Sequence, residues 1–197
     1  MAQLHSHIGA WDTLARSHYS VLKMCLFYAV PLSVLPPAMI YFAGTMYGGN
    51  MLPAFTEIQL QTIGVVFFLV EIAMTFVVAY LIQRMGEVID IKPAFEDCYK
   101  LAVVVPTPLW LAPLFMFIPS FMLNLTVGAA ALILSGVLIF YTVPAILKVE
   151  EPGHAMLLSG SILAAGLVAW AAMMYLTLLS WSFVSSSLLL QIGRAHV

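Results

Sequence analysis

The sequence predicts an all-α fold: a polytopic membrane protein in which five transmembrane helices form one bundle. Of its 197 residues, 63% are hydrophobic and only 8% are charged, and the mean hydropathy is +1.04. A soluble domain carries about 25% charged residues, so this composition excludes one. The uncharged stretches are also long enough for bilayer crossings, each of which needs about 20 mostly apolar residues.

The boundaries of the five helices follow from the interruptions in the apolar stretches. The first stretch ends near Gly44, and the second contains a single charged residue, Glu71. Residues 101–147 are uncharged and too long for one helix, so we place a break at Pro119 and Asn124. We therefore predict one five-helix membrane domain over residues 1–183, with helices at about 22–44, 60–83, 101–118, 124–147 and 155–182.

The positions of the basic residues predict the orientation of the bundle. Ahead of the C-terminal tail, which contains Arg194, Lys and Arg occur before or at the start of the first helix, between the second and third, and between the fourth and fifth. They are Arg16, Lys23, Arg84, Lys92, Lys100 and Lys148. The other two gaps, 45–58 and 119–124, contain none. Short loops rich in Lys and Arg stay in the cytoplasm during insertion. The N-terminus is therefore predicted to be cytoplasmic and, after five crossings, the C-terminus to lie outside.

The two ends of the chain lie outside the five predicted helices. The first 20 residues lack the apolar core and cleavage site of a signal peptide, so we expect the first helix to act as an uncleaved signal anchor. Residues 191–197 match the translation, in one reading frame, of a common sequencing adapter. We therefore expect residues 184–197 to be a tail whose last part is an artefact, with the natural C-terminus missing.

Other features of the composition argue against several classes of function. The net charge of -2 is close to neutral and predicts no nucleic-acid partner. Cys25 and Cys98 lie near the predicted cytoplasmic face, which is reducing, so we expect free thiols. His5, His7 and His18 have no Cys or carboxylate at zinc-ligand spacing. Nucleophile-elbow, phosphate-loop and His-Glu-x-x-His motifs are absent from the sequence, so we predict no catalytic residue, no metal and no cofactor.

The candidate intramembrane polar site is centred on Glu71, in the middle of the second predicted helix. An acidic residue at the bilayer centre costs about 2.5–3.5 kcal/mol, so it normally faces the interior of the bundle. Thr75 lies one helical turn further along the same face. In the third helix, Pro106, Pro108 and Pro113 leave backbone carbonyls without their helical partners. We expect a neutral Glu71 carboxyl to donate a hydrogen bond to one of these carbonyls.

Two interpretations of this site stay open at the level of the sequence. Because the third helix runs antiparallel to the second, its residues near Leu109 and Trp110 match Glu71 in depth. The first and favoured interpretation is a structural clasp between Glu71 and the proline-rich helix. The second is a proton or cation relay, since transporters do build sites from broken helices near the membrane midplane.

Small residues on the fourth and fifth helices predict close helix packing. Ser161, Ala165 and Ala169 form a ladder on the fifth helix, and Ala131 and Ser135 form a similar pair on the fourth. Such ladders allow helices to approach closely in lipid. We expect the two helices to pack against each other here, with an oligomer contact as the alternative.

Three segments carry a resemblance to a known family. They are Asp97-Cys98, Val105-Pro106-Thr107-Pro108-Leu109 and Phe140-Tyr141-Thr142-Val143-Pro144-Ala145-Ile146-Leu147. In these segments the chain resembles the Yip (Ypt-interacting protein) family, in its bacterial inner-membrane branch of unassigned function. The resemblance covers roughly residues 10–183 and implies five spans, an N-in and C-out arrangement and a bacterial cytoplasmic membrane. Eukaryotic members are associated with vesicle trafficking and small GTPases, and the family pattern implies no catalytic or ligand residues.

The functional prediction is a non-enzymatic membrane scaffold that acts through protein or lipid partners. The partner would be the bilayer itself together with another membrane protein or a second copy of the chain. The alternative is a small transporter or channel component in which Glu71 is the protonatable group. A membrane enzyme ranks third. Acidic residues are predicted at the cytoplasmic face, but they do not have the spacing of metal or catalytic ligands.

Overall fold

The computed structural model describes residues 20–48 and 55–195, with the backbone alone for residue 181 and residues 183–195. Five helices in these ranges are long and apolar enough to cross a membrane, which confirms the predicted fold class. They are Val21–Tyr47, Glu57–Val88, Phe95–Phe117, Phe121–Leu147 and Pro152–Ser180. The helix of the fifth span continues to Ala195. Arg16, the three N-terminal histidines and residues 196–197 lie outside the described residues.

Local sequence signals explain where the second and fourth spans begin and end. The second span has a capping box, in which Gln59 N donates to Thr56 Oγ1 and Thr56 N donates to Gln59 Oε1. These bonds satisfy two of the donors that a helix start leaves unpaired. The fourth span is capped by Ser120, whose hydroxyl accepts from Leu123 N at 3.4 Å. It ends at Lys148, which adopts the left-handed conformation with φ 54°.

The third span begins earlier than the sequence predicted, at Phe95 instead of residue 101. Its first turn carries Glu96 and Asp97, which favour the positive end of the helix dipole. Lys100 is 3% exposed and its ammonium lies 3.1 Å from Asp97 Oδ1. This ion pair allows charged residues to enter the helix, although their hydropathy alone argued against a membrane position.

Prolines divide the first and third spans into short segments. The first span contains a single π-helical turn, Cys25–Ala29, followed by Pro31, Pro36 and Pro37. The third span consists of Phe95–Val104, Thr107–Leu111 and the 3₁₀ segment Ala112–Phe117. A proline lacks the backbone donor and clashes with the preceding turn, which accounts for these interruptions. By contrast, Pro144 lies inside the continuous helix of the fourth span.

The second span packs against the first, third and fifth spans, and the fourth packs against the third and fifth. The most deeply buried side chains gather where the first, third and fifth spans begin and the second and fourth end. They include Ala29, Ala79, Cys98, Tyr99, Val143 and Leu158. This end is the predicted cytoplasmic one. Large apolar side chains such as Phe27 and Ile58 are 80% and 77% exposed, as expected for surfaces that face lipid.

Two further features bear on the sequence predictions for this end of the bundle. Cys25 is partly buried and Cys98 is buried, and both are free cysteines in the structure. Near the end of the second span, Arg84 forms an ion pair of 2.7 Å with Glu87, and the start of the third span holds the Lys100–Asp97 pair. Both pairs join residues three apart in the sequence.

The predicted small-residue ladder of the fifth span divides between two environments. Ala165 and Ala169 are partly buried, whereas Ser161 is exposed. On the fourth span, a Cβ added at Gly136 would lie 3.5 Å from Leu163 Cδ1, so the two spans are in ordinary van der Waals contact there. The ladder therefore serves internal packing only in part, and its outer edge is turned away from the bundle.

Candidate functional site

Glu71 lies near the middle of the second span, on an unbroken stretch of helix from Glu57 to Val88. Its side chain is half-buried and directed toward the third span. Gly64 and Thr75, which lie at helical spacing from Glu71, are both buried, so this face of the helix is turned inward. The unbroken helix fixes the depth of the carboxyl group within the bundle.

The carboxyl group of Glu71 is joined to Trp110 in the third span. Trp110 Nε1 donates a hydrogen bond of 2.6 Å to Glu71 Oε1, and the indole is 3% exposed. The antiparallel arrangement thus does place Trp110 at the depth of Glu71. The direction of this hydrogen bond differs from our expectation, because the carboxyl group accepts from an indole instead of donating to a backbone carbonyl. The reason is that a buried indole is a donor only and needs an acceptor.

The second carboxyl oxygen, Oε2, is buried and has no hydrogen-bond partner within residues 20–48 and 55–195. A buried polar atom without a partner costs about 1–3 kcal/mol. For this reason the great majority of buried polar atoms in proteins are paired. Glu71 therefore retains unused hydrogen-bonding capacity inside the bundle.

Thr75 is engaged away from Glu71. Its hydroxyl forms hydrogen bonds to the carbonyl oxygen of Ile72 at 2.7 Å and to Tyr99 Oη at 3.3 Å. Tyr99 is fully buried near the start of the third span. The polar contacts between the second and third spans therefore form two separate points, Thr75–Tyr99 and Glu71–Trp110.

The three prolines of the predicted site occupy different positions in the broken third span. Pro106 precedes the short helix Thr107–Leu111, Pro108 lies in its first turn, and Pro113 lies at the start of the 3₁₀ segment. The short helix carries Trp110, so the break at Pro106 sets the orientation of the indole. Another contact crosses this break, a 2.7 Å hydrogen bond between Tyr28 Oη of the first span and Thr107 Oγ1.

A cavity of about 540 Å³ lies among the second, third, fourth and fifth spans. Glu71, Thr75, Pro106 and Pro113 line it, whereas Pro108 is not among the lining residues. Most of the remaining wall is apolar and aromatic, and it includes Phe67, Trp110 and Trp170. The structure therefore brings four of the five predicted site residues to one intramembrane cavity.

Ser135, on the fourth span, is a site residue that the sequence reasoning assigned only to packing. It lines the cavity, it is 6% exposed, and its hydroxyl has no hydrogen-bond partner in the part of the chain that the structure describes. The sequence does contain a signal for it, which is matching depth in the membrane: Ser135 lies near the middle of the fourth span, and Glu71 lies near the middle of the second.

Acidic, histidine and cysteine side chains do not form a metal centre in the described residues. No group of three or more such side chains is positioned to hold a metal ion within residues 20–48 and 55–195. The polar residues that line the mostly apolar cavity are Glu71, Thr75, Trp110, Asn124 and Ser135, so the chemistry that the site offers is hydrogen bonding and the charge of one carboxyl group.

The five-span bundle and its intramembrane cavity define an integral, multi-pass membrane protein. The chain belongs to the Yip1 domain family, whose match covers residues 7–173. This confirms the resemblance drawn from the short motifs of the third and fourth spans.

The chain is also similar to the inner membrane protein YohC of Escherichia coli (strain K12). The two are 26% identical over 159 residues, which cover 77% of this chain and 80% of YohC. YohC of Escherichia coli O6:H1 matches with the same values. No solved structure matches the chain. Together with the five spans, these relatives confirm the predicted location in a bacterial inner membrane.

Proposed function

We propose that this protein is a non-enzymatic membrane scaffold that acts by binding partners within the bilayer. The observation that carries the proposal is the outer face of the fifth span. Only 11% of the most apolar stretch of this span is buried inside the bundle, the lowest share among the five spans. A transmembrane helix with so little internal contact has most of its surface available to a neighbour.

The composition of this outer face supports a helix as the partner. Ser161, Ala164 and Ala171 are exposed and lie on one side of the helix, interleaved with the larger Leu157 and Val168. Without a hydrophobic driving force in lipid, helices associate through close backbone approach, which small residues permit. The partner is therefore a transmembrane helix of another membrane protein or of a second copy of this chain.

Capture from native membranes tests this proposal. An N-terminally tagged protein is cross-linked in the membranes of its own host, purified and analysed by mass spectrometry. We expect the unaltered chain to capture a stoichiometric partner. Ala164→Ile should abolish this capture, because its larger side chain prevents close approach of a partner helix to the outer face. Ala130→Ile makes the same change at an exposed position of the fourth span and should leave capture unchanged. Recovery of the protein alone, or equal capture with both variants, would count against the scaffold.

The second candidate is a transporter or channel component, and Glu71 Oε2 favours it. Glu71 lies at mid-depth in the wall of the cavity, and its buried Oε2 has no partner among the described residues. Acidic residues within membrane spans often mark proton-coupled pathways. This candidate predicts flux in proteoliposomes that responds to an imposed proton gradient and is lost in Glu71→Gln. Flux that persists unaltered in the variant would remove Glu71 from the mechanism.

A further inference from the structure

The cavity within the bundle is long and follows the direction of the helices. Its lining residues extend from Phe67 to Ile82 on the second span and from Asn124 to Ile139 on the fourth. Because an α-helix rises about 1.5 Å per residue, each of these stretches is about 22 Å long. The hydrocarbon core of a bilayer is about 30 Å thick, or about 15 Å per leaflet, so the cavity is long enough to hold one lipid chain along its length.

The cavity is closed at the predicted cytoplasmic end and open on one side. At the closed end, four spans each contribute a buried side chain; these are Ile82, Leu101, Ile139 and Ile162. Among the described residues, the exposed ones that line the cavity all belong to the fourth and fifth spans; they are Leu125, Ala129, Leu167, Trp170 and Met174. The cavity therefore opens sideways between these two spans, toward the other end of the bundle.

The wall that an occupant meets is apolar, although several polar residues line the cavity. Trp110 Nε1 is bonded to Glu71 Oε1 at 2.6 Å, and Thr75 Oγ1 is bonded to a backbone carbonyl at 2.7 Å. Asn124 Nδ2 donates to two backbone carbonyls. Glu71 Oε2 and Ser135 Oγ have almost no accessible surface, so they do not contact the contents of the cavity. The described lining residues include no Lys, Arg or His that could bind a headgroup phosphate.

These features favour a lipid chain over the other occupants. A transmembrane helix is about 10–12 Å across with its side chains, so a stretch as long as the cavity has several times its volume of about 540 Å³. Water does not fill cavities with apolar walls. The mouth lies within the membrane-crossing parts of the fourth and fifth spans, where hydrocarbon chains of the bilayer are the neighbouring molecules.

We propose that the cavity binds one hydrocarbon chain of a phospholipid. The chain enters between the fourth and fifth spans, passes Trp110 and ends against the buried side chains of the closed end. The headgroup stays at the membrane surface, on the side where the fourth span begins. The inference rests on neither the scaffold nor the transporter proposal, because it concerns what fills the cavity and requires neither a partner helix nor a proton.

Quenching of Trp110 fluorescence tests the proposal, because this indole lines the cavity and is only 3% exposed. The other three tryptophans are replaced in Trp11→Phe, Trp170→Phe and Trp181→Phe. The full chain is reconstituted in nanodiscs of phosphatidylcholine with brominated or with unbrominated chains. Bromine quenches an indole only at close range, so we expect the brominated lipid to remove about half of the Trp110 emission or more.

Variants that fill the cavity separate the bound chain from the surrounding lipid. Gly128 and Gly166 line the cavity on different spans, and a Cβ built on either meets no heavy atom within 4 Å. Gly128→Leu and Gly166→Leu should each remove most of the quenching. Gly160→Leu, equally open but outside the cavity, should leave it unchanged. So should Ala164→Ile, which alters the scaffold surface outside the cavity, so the two proposals can fail separately.

Mass spectrometry of the detergent-purified chain identifies the occupant. We expect one phospholipid per chain, retained in Gly160→Leu and lost in both Gly128→Leu and Gly166→Leu. Quenching that is equal in the open and the filled cavities, or that is lost in Gly160→Leu as well, would overturn the proposal. Recovery of the chain without lipid, or with a free fatty acid in place of a phospholipid, would also overturn it.

Discussion

At the scale of single residues, the Glu71–Trp110 hydrogen bond links the second and third spans in the wall of the cavity. Replacing Trp110 with Phe removes the indole donor and leaves Glu71 Oε1 without its partner. An unpaired buried acceptor costs about 1–3 kcal/mol in soluble proteins, whereas hydrogen bonds between membrane helices average about 0.6 kcal/mol. We therefore expect Trp110→Phe to lower the free energy of unfolding by about 1 kcal/mol.

The measurement is SDS-induced unfolding in mixed micelles, followed by circular dichroism. Trp170→Phe serves as the control: it removes the same atoms from the cavity wall, but from a residue that is 38% exposed. A double-mutant cycle with Glu71→Ala separates the hydrogen bond from the loss of volume. Additive effects of the two substitutions would show that the bond contributes nothing.

The sequence predicted Glu71 but not the whole of its surroundings. An acidic residue alone in an apolar stretch is conspicuous, and counting along two antiparallel helices was sufficient to reach Trp110. Ser135 was not recognised as a site residue, because that required knowing which side of the fourth span faces the cavity. In lipid the outer face of a helix is as apolar as the inner one, so the pattern of apolar residues does not specify this rotation.

At the scale of elements, the end of the second span is shaped by a close contact between a glycine and a proline. A Cβ at Gly86 would lie 2.8 Å from Pro93 Cγ and 2.9 Å from Pro93 Cδ. The proline ring is rigid, so Gly86→Ala should cost about 1–3 kcal/mol of overpacking, partly offset by the roughly 1 kcal/mol that alanine gains over glycine in a helix.

Gly160→Ala is the matched control for this contact, because its Cβ would meet no heavy atom within 4 Å. We expect this variant to be unchanged or more stable by up to about 1 kcal/mol in the same unfolding assay. If Gly86→Ala were as stable as Gly160→Ala, the close packing of Pro93 on the second span would be incorrect.

The third span shows where element prediction from sequence stops. Hydropathy placed its start at residue 101, because Glu96, Asp97 and Lys100 are charged. The structure begins the helix at Phe95, since Lys100 pairs with Asp97 and the acidic residues occupy the first turn. Hydropathy treats each residue separately and cannot register that two opposite charges neutralise each other within one turn.

At the scale of the whole molecule, the orientation in the membrane stays a prediction of the basic residues. In a Cys25→Ser background, a cysteine at position 49 should react with an impermeant maleimide added to intact spheroplasts. One introduced by Ile91→Cys should react only after the membrane is permeabilised. Cys98 is fully buried and should contribute little labelling. The opposite pattern would reverse the orientation of all five spans.

The ion pairs at the end of the second span and the start of the third have a consequence for the order of events in biogenesis. Arg84 pairs with Glu87 and Lys100 with Asp97 across a single helical turn, so neither pair exists until the helix has formed. The insertion machinery reads the nascent chain, in which Lys and Arg act on orientation while Asp and Glu contribute little. The basic signal that directs insertion is thus partly neutralised once the protein folds. The nascent chain and the finished protein therefore present different electrostatic potentials to the anionic lipids of the same leaflet.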